Sequence, residues 1–370
     1  MKILVATDAW HPQVNGVVRT LGQVAHEASA LGTDLEFLSP AGFWTLPMPG
    51  YSEIRLALTG PGEIERRLDR SRADCVHIAT EGPIGHAVRR VCIKREMPFT
   101  TSFHTRFPDY LAERLPLPQR WTTDATWAWL RGFHASSAGV LAATPTLQQE
   151  LIDRGFNNVK LWSRGVDAQL FRPDRRKELI DGRALPRPIF VAVGRVAVEK
   201  NLEEFLKLDL PGTKLIVGDG PARTQLARTY PDAVFVGSKQ GDELAEIYAS
   251  ADVFVFPSRT DTFGLVLLEA LASGVPVAAF PAAAPRDVIG HAPVGVLDED
   301  LRLACLGALE LDRAACRDFA ERLTWQACAR TFLEHVTEGA RVWREKRSRK
   351  ERLRTLFLNA RQRARNKAAA

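Results

Sequence analysis

The 370-residue chain has few cysteines, and none are arranged for chemistry. Cys75, Cys92, Cys305, Cys316 and Cys328 show neither metal-ligand spacing nor a redox pair. This excludes a zinc ribbon and a dithiol centre, and predicts reduced, mostly buried thiols of a cytosolic protein. No apolar run approaches the length of a bilayer span, so a membrane-crossing helix is excluded. The first apolar run, Ile3-Leu-Val-Ala6, gives way at once to Thr7-Asp8, too short for a secretory core, so no signal is expected. Low-complexity segments are absent, and a hydrophobic content of 45% is that of a globular protein. The net charge of +6 is not spread along the chain: residues 341–370 hold twelve Lys or Arg against two Glu, and the remainder carries −4. The basicity is a property of the C-terminus.

What is present is an alternation of strand-like and helical patterns from end to end, which argues for parallel sheets covered by helices on both faces, an α/β class. One series of strands runs near Ile3–Ala6, Leu35–Leu38, Cys75–Ile78, Phe99–Ser102, Val140–Ala143 and Val159–Leu161. A second starts at Ile189–Val193 and continues through Leu215–Val217, Ala233–Val236, Val253–Phe256 and Val275–Ala278. The polar, proline-bracketed stretch between them reads as a linker. The expected division is 1–168, a linker at 169–188, 189–330, and a C-terminal segment at 331–370. Two doubly wound domains then face each other across a cleft.

Chemistry-bearing residues cluster where strands end, the edge at which such sheets bind ligands. Gly16, after Asn15 on the expected acceptor side, opens a helix with Leu21, Val24, Ala25 and Ala28 on one face, and a glycine there lets a ligand approach backbone N–H groups. The G-x-G-x-x-G spacing of a dinucleotide site is absent. His104 follows directly on the strand Phe99–Ser102 and points into the cleft, with Asp109 and Tyr110 just beyond on the expected acceptor side. Arg195 and Lys200 flank the turn after Ile189–Val193, where a guanidinium fork and a point charge suit a diphosphate. Gly218 and Gly220 permit a tight turn after the next strand. Asp261 and Glu269 bracket the start of a helix opened by Gly264, after Phe263 and before Leu265, and carboxylates so placed suit sugar or ribose hydroxyls. Asp298 and Asp300 have the spacing of a metal site, but they precede a helix-like run, so helix-end charge is the expected role.

These motifs resemble, in order and in strand-end placement, the signature of the large family of retaining glycosyltransferases with the GT-B fold, the family 4 or group 1 type that uses nucleotide-sugar donors. The likeness covers about residues 1–335. It implies that the Gly16 turn faces the donor diphosphate and that His104 hydrogen-bonds the donor sugar. Arg195 and Lys200 would neutralise the leaving diphosphate, with Gly218 and Gly220 beneath the nucleotide. Asp261 and the backbone of Phe263, Gly264 and Leu265 would hold sugar hydroxyls, and Glu269 would grip the ribose. Asp261 stands where the family usually has the longer Glu. The catalytic set is thus His104, Asp261 and Glu269, with no metal or other cofactor expected.

The tail adds a membrane expectation. Leu353, Leu356 and Phe357 share a helical face, and Arg352 and Arg354 crowd the others. A basic amphipathic helix suits an anionic membrane surface, at about 1 kcal/mol per basic residue. Two readings compete with it: the start of the tail, with Val336, Val342 and Trp343, packs back across the first domain, or the far end is a solvated or RNA-attracted basic run. The stretch containing Trp127 and Trp129 reads partly as core and partly as an exposed face at the membrane or acceptor mouth. The resulting expectation is hexosyl transfer, glucosyl or glucuronosyl, from a UDP-sugar to a lipid such as diacylglycerol, by a cytoplasmic enzyme held peripherally at the inner membrane face. GDP-mannose-dependent α-mannosyl transfer is the nearest alternative. A GT-B-fold epimerase or phosphorylase is the rival of another class. Nucleic acid is not an expected partner, because the body is acidic and carries no such module.

Overall fold

The computed structural model describes residues 1–13, 15–48, 51–106 and 119–368, and beyond Ser348 it describes the backbone alone. The uninterrupted apolar runs become parallel strands, buried on both faces as such runs require. In the first domain these are β1 (Lys2–Ala6), β2 (Asp34–Leu38), β5 (Cys75–Ile78), β6 (Phe99–Phe103), β7 (Val140–Ala142) and β8 (Val159–Leu161). They lie in the order β2-β1-β5-β6-β7-β8, all parallel, with Val5 opposite His77 and Thr101 opposite Val140. Helices α1 (Gly16–Ala30), α2 (Pro61–Ser71), α3 (Pro83–Lys94), α4 (Gln119–His134) and α5 (Pro145–Asp153) connect them. Between β2 and α2 the chain adds an antiparallel hairpin, β3 (Thr45–Met48) with β4 (Tyr51–Ala57), which the apolar pattern did not announce.

The second domain repeats the design. Strands β11 (Ile189–Val193), β12 (Thr213–Val217), β13 (Val234–Phe235), β14 (Val253–Phe256), β15 (Val277–Ala279) and β16 (Gly295–Leu297) order as β13-β12-β11-β14-β15-β16, again parallel throughout. Its helices are α6 (Leu202–Leu206), α7 (Arg223–Thr229), α8 (Gly241–Ser250), α9 (Leu265–Ala272), α10 (Ala283–Ile289), α11 (Leu301–Ala308) and α12 (Arg313–Glu321). In each sheet the strand order reverses beside the first strand of the domain, β1 or β11. Ligand crevices form at the carboxyl ends of the strands at such points.

The segment expected as a linker is built, not loose. It carries β9 (Leu179–Ile180) paired with β10 (Arg183–Ala184), and Phe171 and Ile180 are buried in the second-domain core. The last helix, α13 (Trp325–Ala368), returns to the first domain. Trp325, Cys328, Ala329, Phe332, Val336 and Ala340, spaced at helical intervals, join Ile3, Leu21 and Trp162 in one core. The return therefore begins at Trp325, ahead of the expected boundary at 331, because the apolar stripe that needs cover starts there. All five cysteines are buried and unbonded. Among the described residues no helix is long and apolar enough to cross a membrane.

Candidate active site

The loops after β11 and β12 are stitched together by their backbones. Val196 N–H donates to Asp219 O at 2.9 Å, and Gly194 N–H to Val217 O at 3.0 Å. This contact explains two glycines: a Cβ on Gly218 would strike the Gly194 carbonyl, and one on Gly220 the Val196 carbonyl, and both residues have positive φ. The expected room beneath a nucleotide is accompanied here by a plain steric need. Arg195 sits half-buried at the head of this turn.

Lys200 and Asp261 meet directly. Lys200 Nζ lies 2.6 Å from Asp261 Oδ1, with both side chains largely covered. Burial pushes the Asp261 carboxyl up, but the charge and hydrogen bond of Lys200, with a smaller contribution from the Ser258 hydroxyl, outweigh it and leave the group below its ordinary 3.8. Asp261 Oδ2 is buried and takes no hydrogen bond among the described residues. A carboxylate with one oxygen anchored and the other vacant can accept from a hydroxyl. Gly264 is the N-cap of α9 at φ 80°, a conformation suited to glycine, and no side chain caps the helix.

Glu269, one turn into α9, is buried between two donors. Arg19 Nη1 lies 2.6 Å from Oε1, and the Tyr248 hydroxyl donates to Oε2 at 3.1 Å. Burial raises the Glu269 carboxyl above its ordinary 4.5, with Arg19 and Tyr248 opposing. Arg19 belongs to α1, so this ion pair spans the cleft. It was missed in the sequence, although Arg19 stands three residues after Gly16 and so shares its helix face.

His104 lies at the end of β6. Its carbonyl accepts from Thr262 Oγ1 of the second domain at 2.9 Å, a second bond across the cleft. Thr146 supplies a third, donating from N and Oγ1 to the Asp287 carboxylate. The His104 ring has Nδ1 3.3 Å from Arg164 Nη2, and Nε2 buried without a partner among the described residues. Burial first, then Arg164 and His77, hold His104 well below its ordinary 6.5. An unmade hydrogen bond of this kind costs about 1–3 kcal/mol until something accepts it. Arg164 is 5% exposed, lies over the Trp162 ring, and donates to the Trp162 and Ser163 carbonyls.

Several expected site residues are placed otherwise. Trp127 is 5% exposed, stacks on Phe103 and is covered by Arg154, which corrects the acceptor or membrane expectation for it: an apolar helix face fills the core first. Trp129 remains exposed beside His86. Asn15 caps α1, its Oδ1 accepting from Val17 and Val18 N–H at 3.0 Å, so its side chain is committed to the helix end. Gly16 exposes its backbone toward Leu265, which packs against the cores of both domains. The Phe263 ring is core, leaving only its backbone for a ligand. Asp300 caps α11 by accepting from Arg302 and Leu303 N–H, and among the described residues no three metal-ligating side chains gather. Asp109 and Tyr110 lie outside the described residues, as do the side chains of Arg352, Leu353, Arg354, Leu356 and Phe357.

Comparison with known proteins bears on this arrangement. Residues 14–170 match the family model described as Glycosyltransferase Family 4, and residues 187–305 that described as Glycosyl transferases group 1. A GDP-mannose-dependent alpha-mannosyltransferase of Mycobacterium tuberculosis is 33% identical over 80% of this chain and 83% of that protein. An alpha-monoglucosyldiacylglycerol synthase of Streptococcus pneumoniae is 25% identical over 84% of this chain and 78% of that protein. The solved structure of Anabaena HepE with UDP and glucose shares the fold at a TM-score of 0.68 and 14% identity, covering 91% of this chain and all of that one.

Proposed function

Because this chain belongs to the family 4, group 1 glycosyltransferases and has their GT-B fold, we propose that it transfers a hexosyl unit, with retention and without a metal, from a nucleotide diphosphate sugar to a lipid at an anionic membrane. The observation that carries this reading is the convergence of Lys200, Asp261, Glu269 and the uncapped N-terminus of α9 on one crevice, facing His104 and the Gly16 turn. Positive charge and open N–H groups suit the departing diphosphate. Asp261 Oδ2 and His104 Nε2 are an acceptor and a donor left unpaired for sugar hydroxyls. Glu269 uses two of its roughly four acceptor sites on Arg19 and Tyr248, and the rest take the ribose. Among the described residues no side chain is set as a nucleophile, so the acceptor attacks on the face the diphosphate leaves, and a leaving phosphate oxygen takes its proton.

GDP-mannose is the first donor we propose, on the strength of the 33% identical relative. An α-mannoside made from that α-linked donor is a product of retention. A UDP-hexose passed to diacylglycerol is the second reading, favoured by the streptococcal relative. The test gives the purified protein GDP-mannose, UDP-glucose or UDP-glucuronate with diacylglycerol in anionic vesicles, and follows nucleotide release and labelled lipid. Labelled lipid from one donor, lost when the chain is cut after Ser348, is the expected result. Release without lipid product removes the lipid acceptor, and no release from any donor removes the transferase reading.

A further inference from the structure

The histidine that faces the proposed sugar site is held by an arginine that no motif reading singled out. Arg164 follows β8 and precedes the crossing to the second domain. It is a buried cation, and among the described residues no carboxylate pairs with it. Buried charges are normally paired, so its position needs a reason beyond packing on Trp162. Its guanidinium reaches two backbone carbonyls and one more atom, His104 Nδ1, at 3.3 Å.

A guanidinium carries only N–H donors and has no lone pair to offer. Whatever it bonds must accept. His104 Nδ1 is therefore the bare nitrogen, and the ring proton sits on Nε2, across the ring from Arg164. Nε2 is buried and unpartnered among the described residues.

We infer that Arg164 is a positioning residue: it fixes His104 as the neutral, Nε2-protonated tautomer, so that His104 meets the donor sugar as a hydrogen-bond donor and takes no part in proton transfer. The contact with sugar rests on the glycosyltransferase reading; the tautomer does not. The described surroundings agree. His77 on β5 is occupied by Thr100 and Ser102 hydroxyls and is pulled down to about 3 by burial, so it adds no proton acceptor. Trp162 presents a ring edge. Thr262 spends its hydroxyl on the His104 carbonyl, and beyond it Lys200 and Asp261 neutralise each other. Arg106, two residues on, is paired with Glu150. No carboxylate among these is placed to favour the imidazolium.

The experiment is a long-range ¹H–¹⁵N correlation spectrum of the full chain labelled with ¹⁵N-histidine, between pH 5 and 8. The His104 signal, one of eight histidines, is identified by its absence in His104→Asn. The expected spectrum shows a bare Nδ1, a protonated Nε2 and no titration. Arg164→Met should release the proton to both nitrogens. It should also lower kcat/KM for the nucleotide sugar by about tenfold, the size of one neutral hydrogen bond. Arg164→Lys, which can likewise only donate, should restore the tautomer in part. A wild-type His104 that is Nδ1-protonated, or that titrates between pH 5 and 8, overturns the inference, and needs no variant to fold. An unchanged tautomer in Arg164→Met overturns it equally. A wild-type protein that turns over no nucleotide sugar, yet shows the expected spectrum, sinks the transferase reading and leaves the tautomer standing.

Discussion

Replacing Arg19 with Met tests whether the cleft is held by an ion pair whose halves lie 250 residues apart in the chain. At 2.6 Å the two charges attract by about 6 kcal/mol if the effective dielectric is about 20. Desolvating Glu269, 7% exposed, cancels much of that. Removing one partner of a buried pair costs about 3–5 kcal/mol, since the survivor is left uncompensated. Arg19 is 35% exposed, and Tyr248 keeps donating, so water and hydroxyl recover part of it and the expected loss is about 2 kcal/mol. In a melt this appears as a fall of about 4–8 °C. Glu269→Gln should cost about 1 kcal/mol, because Arg19 can turn to solvent. The double variant should lose less than the sum of the two. The pH dependence follows from the raised Glu269 carboxyl. A carboxyl raised on folding contributes stability that is full below 4.5 and is lost as the pH climbs through the folded value. Without Arg19 that value rises further, so the variant should be penalised more at pH 7 than at pH 5. Additivity of the double variant within about 0.5 kcal/mol, or equal losses at both pH values, would refute the argument.

Three further outcomes are expected. Lys200→Met should lower kcat/KM for the nucleotide sugar by about 10²–10³-fold, as loss of one leaving-group stabiliser does. Asp261, held below 3.8 by Lys200, contributes stability that is present above 3.8 and lost as the pH falls through its folded value. Melts of Lys200→Met and wild type should therefore differ at pH 6 and converge toward pH 3, and a constant offset would count against the pairing. Trp127→Ala should destabilise by about 3–5 kcal/mol, whereas Trp129→Ala stays within about 0.5 kcal/mol. Equal effects in chemical denaturation would contradict the burial difference.

The chain by itself determined the layered α/β architecture and the addresses of the chemistry. Doubly buried parallel strands must be written as apolar runs, so Ile189–Val193 and Val253–Phe256 announce themselves, and the polar residues after them mark the edge where a ligand binds. Short pairings such as Leu179–Ile180 with Arg183–Ala184 carry too few residues to show a period, and they hid in what read as a linker. Periodicity says that Trp127 lies on an apolar helix face. It does not say whether that face meets a core or a membrane, because both reward the same burial; Phe103 and Phe156 settled it. The partners of the site residues were also beyond the sequence. Arg19 with Glu269, Lys200 with Asp261, and Arg164 with His104 are joined only when two sheets face each other or distant loops converge. Local spacing encodes which residues share a helix face or a strand end, but contacts separated by 60 to 250 residues are fixed by how the domains pack, and it is those contacts that set charge and proton position in the cleft.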